Sequence, residues 1–226
     1  MSQTRRLAAI LAADVAGYSR LIGADEGGTL ERLKALRREL LDPKIAEHKG
    51  RLVKTTGDGL LVEFGSVVDA LRCAVEVQRE MTGRNTGVPP DNRIELRIGI
   101  NVGDIVVEDG DIFGDGVNVT ARLEALAEPG GICVAARVQE DVAGRLDLVL
   151  EDIFERSVEA ISPEMRAAAG IDQLARNAHP IAGFAHRAFE HIAHAQFAPD
   201  LLHIDGLALV RKTRIAGEDK EPADAR

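Results

Sequence analysis

Apolar positions follow two different periods along the first two thirds of the chain, and these periods predict strands and helices in turn. An unbroken apolar run from Leu7 to Ala13 has the length of a strand and is typical of a central strand covered on both faces. From Thr29 to Lys49, leucines recur at helical spacing, which predicts a helix that Asp42 and Pro43 break or kink. We therefore expect sheet and helix in one domain.

The next apolar segment predicts a tight β-hairpin, because two apolar runs flank the pair Asp58 and Gly59. Gly57 and Gly59 allow positive φ on either side of Asp58, so the turn can present this carboxylate at its tip. Strict alternation along the incoming strand places Lys54 on the same face as Leu52. Taken alone, these residues are better explained by an ordinary hairpin turn and a solvated lysine than by a functional site.

The pattern downstream of the hairpin predicts further strands and helices. Their predicted bounds are a helix from Ser66 to about Met81, a loop over residues 82–92, two strands from Ile94 to Val107 that turn at Gly103-Asp104, a turn at residues 109–111, a helix from Gly114 to Ala127, a strand from Ile132 to Ala135 and a helix from Arg137 to Gly144.

Composition excludes several classes of protein. The 226 residues carry a formal net charge of −9, whereas surfaces that bind nucleic acid are normally basic. Cys73 and Cys133 each stand in an apolar stretch, as expected for buried thiols in a reducing compartment. No apolar run approaches the roughly 18 residues of a membrane helix. Arg5 and Arg6 imitate a signal peptide only weakly, because the apolar run after them is short and ends in Asp14. We therefore expect a cytoplasmic protein that binds neither nucleic acid nor membranes.

A carboxylate stands where the first strand ends and a glycine-containing loop begins. Asp14 can offer a hard oxygen ligand to a cation, while backbone N–H groups of the loop can bind a phosphate. From these residues alone, an Asp14 that only caps the next turn is equally well supported. The loop residues in question are Val15, Ala16, Gly17 and Tyr18.

The last third of the sequence has no clear strand or helix period. Five of the six histidines lie there, and residues 217–226 are charged and expected to be disordered. His191 and His194 could share a metal ion, but no third ligand at suitable spacing accompanies them. We therefore divide the chain into a domain of residues 1–152 and a divergent, partly disordered tail of residues 153–226.

Three separated blocks match one known family in residue type, order and spacing. They are Asp14 at the end of a strand, Lys54-x-x-x-Asp58 on a hairpin, and the run from Asp111 to Arg122. Together they resemble the catalytic domain of class III adenylate/guanylate cyclases, in particular the bacterial cytosolic branch, over about residues 5–152. The resemblance implies an α+β fold, a ferredoxin-like antiparallel sheet with flanking helices. Beyond Ile153 the family pattern is lost, and we recognise neither the family's last strand nor a second domain.

The resemblance also implies a function. Class III cyclases convert a nucleoside triphosphate with two Mg²⁺ or Mn²⁺ ions per site, in head-to-tail homodimers whose sites draw residues from both subunits. A Lys and Asp pair reading the purine edge is the pairing associated with adenine. By this resemblance the metal ligands are Asp14, Asp58 and the Val15 carbonyl, the substrate-binding residues are Ala16, Gly17, Tyr18, Lys54 and Asp111, and the catalytic residues are Asn118 and Arg122.

The expected activity is thus an adenylate cyclase that converts ATP to 3′,5′-cyclic AMP and pyrophosphate at a homodimer interface. The residue chemistry agrees, because the adenine amino group is a donor suited to Asp111 and ring N1 is an acceptor suited to Lys54. No P-loop sequence is present, which disfavours a Walker-type NTPase. The alternative is a catalytically weak nucleotide-binding regulatory module of the same fold, silenced by its altered tail.

Overall fold

One predominantly antiparallel sheet of eight strands organises the molecule, with its strands in the order β2-β3-β1-β4-β6-β8-β7 and β5 paired with β4 alone. The structure, a computed structural model, describes residues 4–148, 150–152 and 207–210. The strands are β1 (Thr4–Val15), β2 (Arg51–Thr56), β3 (Gly59–Phe64), β4 (Leu96–Glu108), β5 (Asp111–Phe113), β6 (Ile132–Ala135), β7 (Glu151–Asp152) and β8 (Leu207–Val210). The helices are α1 (Tyr18–Ala24), α2 (Glu26–Leu36), α3 (Asp42–Glu47), α4 (Val67–Arg84), α5 (Asp115–Leu126) and α6 (Ala136–Val142), with a π-helical turn at Arg37–Leu41 and a 3₁₀ turn at Pro90–Asn92.

The central strand is β1, as the apolar run predicts. It pairs antiparallel with β3 on one side and with β4 on the other. Its segment from Ala8 to Ala13 is buried along its whole length, since apolar clusters cover both faces of the sheet there. The strand also extends past the apolar run at both ends, so Asp14 lies within the ladder and not after it.

The predicted hairpin between Ile94 and Val107 is wrong, because this segment is one continuous strand, β4. β1 is long enough to pair with β4 from Val15 to Thr4 without interruption, and Gly103 sits inside that ladder opposite Ala8. Gly103 serves close packing here: a Cβ on it would lie 3.2 Å from the Gly116 Cα of α5. The chain actually reverses after β4, before β5, at the turn predicted for residues 109–111.

The predicted helix from Thr29 to Lys49 is present but interrupted earlier than expected. Its regular hydrogen bonding gives way to the π-helical turn before the proline, and Pro43 then occupies the first turn of α3, where a missing N–H costs nothing. A preceding helix, α1, was not predicted. Ser66 caps α4 as predicted, accepting a hydrogen bond from the Asp69 N–H at 3.3 Å.

The sequence gives no sign of a strand beyond Ile153, yet the structure contains one. β8 pairs antiparallel with β6 and with β7, so residues of the predicted tail complete this edge of the sheet. The predicted disorder of residues 217–226 and the His191 and His194 pair lie outside the described residues. Among the helices that are described, none is both long and apolar enough to span a bilayer.

Candidate active site

The β2–β3 hairpin brings Asp58 to the end of the sheet at which β1 finishes. Its turn consists of Gly57 and Asp58, between the paired residues Thr56 and Gly59. Gly57 has a φ of 62°, in the left-handed region that glycine tolerates, whereas Gly59 is an ordinary strand residue. The hairpin prediction is confirmed, with positive φ needed on one side of the carboxylate only.

A β-bulge in β2 changes the predicted direction of Lys54. Leu52 pairs with Val62 and Lys54 pairs with Leu61, so the register shifts between them. Since Val62 and Leu61 are neighbours on β3 and point to opposite faces, Leu52 and Lys54 do so too. The expectation that they share a face is wrong, because strict alternation does not survive the extra residue.

Asp14 is held by an arginine directly across the ladder. It pairs in register with Arg97 of β4, so both side chains leave the same face of the sheet. Arg97 donates from Nε to Asp14 Oδ1 at 3.0 Å and from Nη2 to Asp14 Oδ2 at 2.5 Å. This two-pronged contact is the strong form of a carboxylate–guanidinium pair.

Two further carboxylates act on the same guanidinium. Glu124 of α5 lies with Oε1 3.6 Å from Arg97 Nη2, and this oxygen is buried without a hydrogen-bond partner. Burial raises the pKa of Glu124 to about 7, and a hydrogen bond with Asp14 and the charges of Asp14 and Asp58 act in the same direction. The hydrogen bonds that Arg97 donates to Asp14 are the main reason why the pKa of Arg97 is raised, and the charges of Asp14, Glu124 and Asp58 add to it. We call Asp14, Asp58, Arg97 and Glu124 the carboxylate cluster.

The carboxylate cluster has the chemistry of a divalent-cation site. It combines three acidic groups with one arginine, so acidic charge exceeds basic charge whenever all three are ionised. Like charges brought together disfavour ionisation; the pKa of Glu124 is raised chiefly by burial, and the charges of Asp14 and Asp58 add to that shift. Carboxylate oxygens are the ligands that Mg²⁺ and Mn²⁺ prefer. Asp14 and Asp58 therefore fit the metal ions that the resemblance implies.

Lys54 and Asp111 meet across the space between β2 and β5. Lys54 Nζ lies 2.8 Å from Asp111 Oδ2, and both side chains are partly exposed. The Ile112 N–H donates to the other carboxylate oxygen at 2.7 Å, while the Phe113 ring lies beneath Nζ at 5.7 Å. The hydrogen bond from Lys54 is the main reason why the pKa of Asp111 is lowered. We call Lys54 and Asp111 the base edge.

Helix α5 presents Asn118 and Arg122 to solvent. It packs so closely on β4 that a Cβ on Gly99 would lie 2.3 Å from the Glu124 backbone nitrogen. That contact fixes one side of α5 against the sheet and leaves Asn118 and Arg122, one turn apart, on the exposed side. Within the described residues neither side chain has a hydrogen bond or an ion pair, so both are available to a ligand.

The structure brings the predicted site residues together as two groups. The carboxylate cluster lies where β1 and the hairpin turn end, and the base edge joins β2 to β5. In the described part of the chain, no hydrogen bond or ion pair connects one group with the other.

Sequence reasoning missed Arg97 and Glu124. A signal for Arg97 exists, since it is a charged residue between Leu96 and Ile98, both buried. Glu124 follows Arg122 by two residues, which places it on the buried side of α5. Neither signal names a partner, because the pairing depends on the register of β4 against β1.

The loop after β1 offers fewer free N–H groups than the sequence suggests. The Ala16 N–H donates to the Glu95 carbonyl at 2.8 Å. Gly17 has a left-handed φ of 69° and is the N-cap of α1, whose first residue is Tyr18. Among the described residues the N–H groups of Gly17 and Tyr18 have no acceptor, so these two remain for a ligand.

A second group of possible metal ligands lies away from this site, on α3 and α4. Glu47, His48 and Glu76 bring ligand atoms within 4.8 Å of one another. Lys44 already occupies the position of a cation there, with Nζ 3.0 Å from Glu47 Oε2 and 2.8 Å from Glu76 Oε2. We interpret this group as an ion-pair network that links the two helices.

Comparisons with known proteins agree on one family. The model of the adenylate and guanylate cyclase catalytic domain matches residues 1–164. A putative adenylate cyclase 3 of Rhizobium meliloti is 54% identical over 148 residues, which cover 66% of this chain and 25% of that protein. This chain thus spans a quarter of the length of that relative.

Solved structures lead to the same fold. A crystal structure of an adenylate/guanylate cyclase/hydrolase from Silicibacter pomeroyi is 55% identical, with a TM-score of 0.63, and covers 66% of this chain and 87% of that one. The adenylyl cyclase CyaB from P. aeruginosa matches at a TM-score of 0.58 and 21% identity, covering 68% of this chain and 87% of that one. At that identity the second likeness concerns the fold alone.

Proposed function

This chain belongs to the adenylate and guanylate cyclase catalytic domain family, and from that premise we propose that it converts ATP to 3′,5′-cyclic AMP and pyrophosphate. One observation carries the choice of adenine: Lys54 and Asp111 already face each other at 2.8 Å. In this geometry one donor and one acceptor stand side by side, which is the pattern that complements the N1 and amino edge of adenine.

Guanine would meet the same two side chains in the wrong order. Its O6 is an acceptor and its N1–H a donor, so the amino position of adenine carries an acceptor that faces the Asp111 carboxylate. A site that is built to hydrogen-bond one edge rejects the reversed edge strongly, because its own polar groups are then left unpaired. The base edge thereby favours ATP over GTP.

Asp14, Asp58 and the Val15 carbonyl are the ligands we propose for the two divalent cations. When bound, such ions supply activation of the ribose 3′-hydroxyl and neutralisation of the triphosphate. The metal ion would compete for Asp14 with Arg97, which already donates a hydrogen bond to each of its two oxygens. To the Gly17 and Tyr18 N–H groups, at the start of α1, we assign the binding of a phosphate oxygen.

Arg122 and Asn118 act from the exposed side of α5. We assign to Arg122 the stabilisation of negative charge on the α-phosphate, which an arginine does in other phosphoryl transfers. Asn118 can bond the ribose with either its amide or its carbonyl group and so orient the attacking hydroxyl. The attack forms the O3′–Pα bond, gives the hydroxyl proton to water, breaks the bond from Pα to the oxygen that bridges it to Pβ and releases pyrophosphate.

The active unit we propose is a head-to-tail homodimer. Among the described residues no hydrogen bond or ion pair joins the carboxylate cluster to the base edge, and the exposed Arg122 side chain has no such partner there either. A two-fold axis brings the carboxylate cluster of one subunit to the base edge and α5 of its partner, and it does so twice. Each site then holds the residues that the reaction needs.

The activity itself is tested with purified protein, Mn²⁺ and ATP. We expect cyclic AMP and pyrophosphate in equal amounts, with GTP a poorer substrate. Protein that binds ATP but releases neither product would instead be the catalytically weak nucleotide-binding module.

Mixing two inactive variants tests the shared site. Asp58→Ala and Arg122→Ala should each be inactive as homodimers, because each lacks one essential group at both sites. In a mixed dimer one site gathers both lesions and the other is intact, so random subunit exchange should restore about a quarter of wild-type activity. A mixture that exchanges subunits and stays inactive would contradict the shared site.

A further inference from the structure

A buried carboxylate that the reaction does not use lies behind the base edge. Glu63 of β3 is 6% exposed and is the one charged residue among the buried residues of the described chain. Arg51 of β2 donates to Glu63 Oε2 from Nη2 at 2.6 Å and from Nε at 3.3 Å, and Arg6 of β1 pairs with Oε1. Burial alone would raise the pKa of Glu63, but the hydrogen bonds and charges of the two arginines lower it overall.

Arg51 also reaches out of this network to the turn that carries Asp111. Its Nη1 donates to the Gly110 carbonyl oxygen at 2.7 Å. Gly110 and the preceding Asp109 have φ of 83° and 50°, so both residues of this tight turn are left-handed. Arg51 therefore ties a buried anion on β3 to the backbone immediately before the base-reading carboxylate.

Side chains of β2 reach across to β5 and to the turn before it. Among the described residues β5 pairs with β4 alone, and the polar and ring contacts from β2 are Arg51 to the Gly110 carbonyl, Lys54 to Asp111 and Lys54 to the Phe113 ring. An adenine that accepts from Lys54 and donates to Asp111 has to enter between them, which opens the contacts that Lys54 makes. The hydrogen bond from Arg51 to Gly110 does not involve Lys54, so it can still hold Asp111 at its distance from β2.

We propose that Arg51, held by Glu63, is a positioning residue that fixes where Asp111 stands and thereby sets the preference for adenine over guanine. The inference rests on the proposed function, since it concerns the base edge of that same site. Arg51 acts through the Gly110 backbone. A guanidinium is needed because one group has to bond a carboxylate and a carbonyl in different directions at the same time.

The test compares Arg51→Met with Arg84→Met. Both arginines are similarly exposed, 43% and 42%, and each pairs with a glutamate, but Arg84 lies at the end of α4 and bonds Glu39. For each variant we would measure kcat/KM for ATP and GTP by product formation, and nucleotide dissociation constants by calorimetry. We expect Arg51→Met to lower the ATP-to-GTP preference by about 3- to 10-fold, mainly through KM, because a misplaced Asp111 binds the base less well but is still present. Arg84→Met should leave the preference unchanged.

Rescue and coupling separate positioning from general support. Arg51→Lys keeps the charge but cannot bridge both acceptors, so it should resemble Arg51→Met in preference. If Arg51 acts through Asp111, adding Arg51→Met to an Asp111→Asn variant should change the preference little further, whereas independent effects would multiply. A lost preference in Arg51→Met that is fully restored by Arg51→Lys would overturn the inference in favour of a charge effect.

Two outcomes distinguish this inference from the proposed function. If Asp111→Asn alters the ATP-to-GTP ratio and Arg51→Met does not, the positioning role is wrong and base reading stands. If neither alters it, base reading fails and the inference fails with it. Should Arg51→Met not fold, because Glu63 is left with one arginine, Arg51→Met/Glu63→Met removes both charges and the same ratio decides.

Discussion

The carboxylate cluster and the base edge are both built from opposite charges, but their charges are balanced in different ways. In the carboxylate cluster Asp14, Asp58 and Glu124 face one guanidinium, and the pKa of Glu124 is raised. At the base edge one ammonium faces one carboxylate, and the pKa of Asp111 is lowered. The balance of charge separates the two regions: three carboxylates near one guanidinium leave excess acidic charge that suits a further cation, whereas a matched pair suits a neutral ligand with a donor and an acceptor.

The two regions also differ in what a ligand must displace. A cation that binds Asp14 has to compete with Arg97, which occupies both carboxylate oxygens. In the function we propose, a purine edge would insert into the Lys54 and Asp111 contact and satisfy both partners, so little hydrogen bonding would be lost. We therefore expect the carboxylate cluster to change more than the base edge when a metal–nucleotide complex binds.

The largest effect should come from breaking the carboxylate cluster. We expect Asp58→Asn to reduce turnover by about 10³-fold or more, since a lost metal ligand removes several kcal/mol of charge stabilisation. The amide keeps the shape of the side chain, so the thermal midpoint should stay within a few degrees of wild type. Asp141→Asn, an exposed change on α6, is the control. Near-wild-type turnover in Asp58→Asn would remove the metal assignment.

The next effect concerns the stability of the support behind the base edge. Glu63→Gln should lower the free energy of unfolding by about 2–3 kcal/mol at pH 7, somewhat less than for a fully buried pair because the two arginines can regain water. The pKa of Glu63 is lower in the folded protein than in the unfolded chain, where it is near 4.5. Ionised Glu63 therefore stabilises the fold fully at pH values above 4.5, and this stabilisation is lost as the pH falls through the lower pKa of the folded protein.

Urea unfolding of Glu63→Gln and wild type at pH 7 and in acid measures this difference at fixed protein concentration. The gap between them should shrink in acid, where wild-type Glu63 takes up a proton and loses the same charge. Glu140→Gln, an exposed change, should show no gap at either pH. If the difference in free energy of unfolding between Glu63→Gln and wild type is equal at both pH values, the shape of the side chain and not its charge causes the destabilisation.

A smaller effect, in free energy, should come from reversing the base edge. Lys54→Glu with Asp111→Cys presents an acceptor where a donor stood and removes the carboxylate, which suits a guanine edge better than adenine. We expect the ATP-to-GTP ratio of kcat/KM to fall by about 10- to 100-fold, or roughly 1.4–2.7 kcal/mol. Asp58 is untouched, so Mn²⁺ dependence should persist. An unchanged ratio would show that these two residues do not read the base.

The two regions were not equally predictable from the sequence. Asp14 and the Gly57-Asp58 turn are visible locally, because strand ends and tight turns have residue signatures of their own. The direction of Lys54 was not, since the bulge in β2 depends on how β3 pairs with it. The contact from Arg97 to Asp14 joins residues 83 positions apart and depends on the register of β4 against β1. No local sequence pattern specifies that register.

Fold-level errors have the same origin. Gly103-Asp104 reads as a turn locally, but pairing along the whole of β1 keeps β4 straight through it. β8 is a four-residue strand that pairs with distant β6, and so short an apolar run carries no reliable period. Local chemistry was predictable, whereas features set by a distant strand were not.

The smallest effect tests whether Arg97 competes with the metal ion. Removing it in Arg97→Met should tighten Mn²⁺ binding in the absence of nucleotide by several-fold, about 1 kcal/mol, because Asp14 no longer gives up a charged hydrogen-bond pair to bind the ion. The gain is modest since Arg97 is 30% exposed and regains water when released.

Lys54→Met is the matched control: it also removes one positive charge, from a side chain that is 40% exposed, but at the base edge. Calorimetry or Mn²⁺ paramagnetic resonance would measure both. Equal tightening in the two variants would point to net charge alone, and unchanged or weaker binding in Arg97→Met would show that the arginine does not hold Asp14 against the ion.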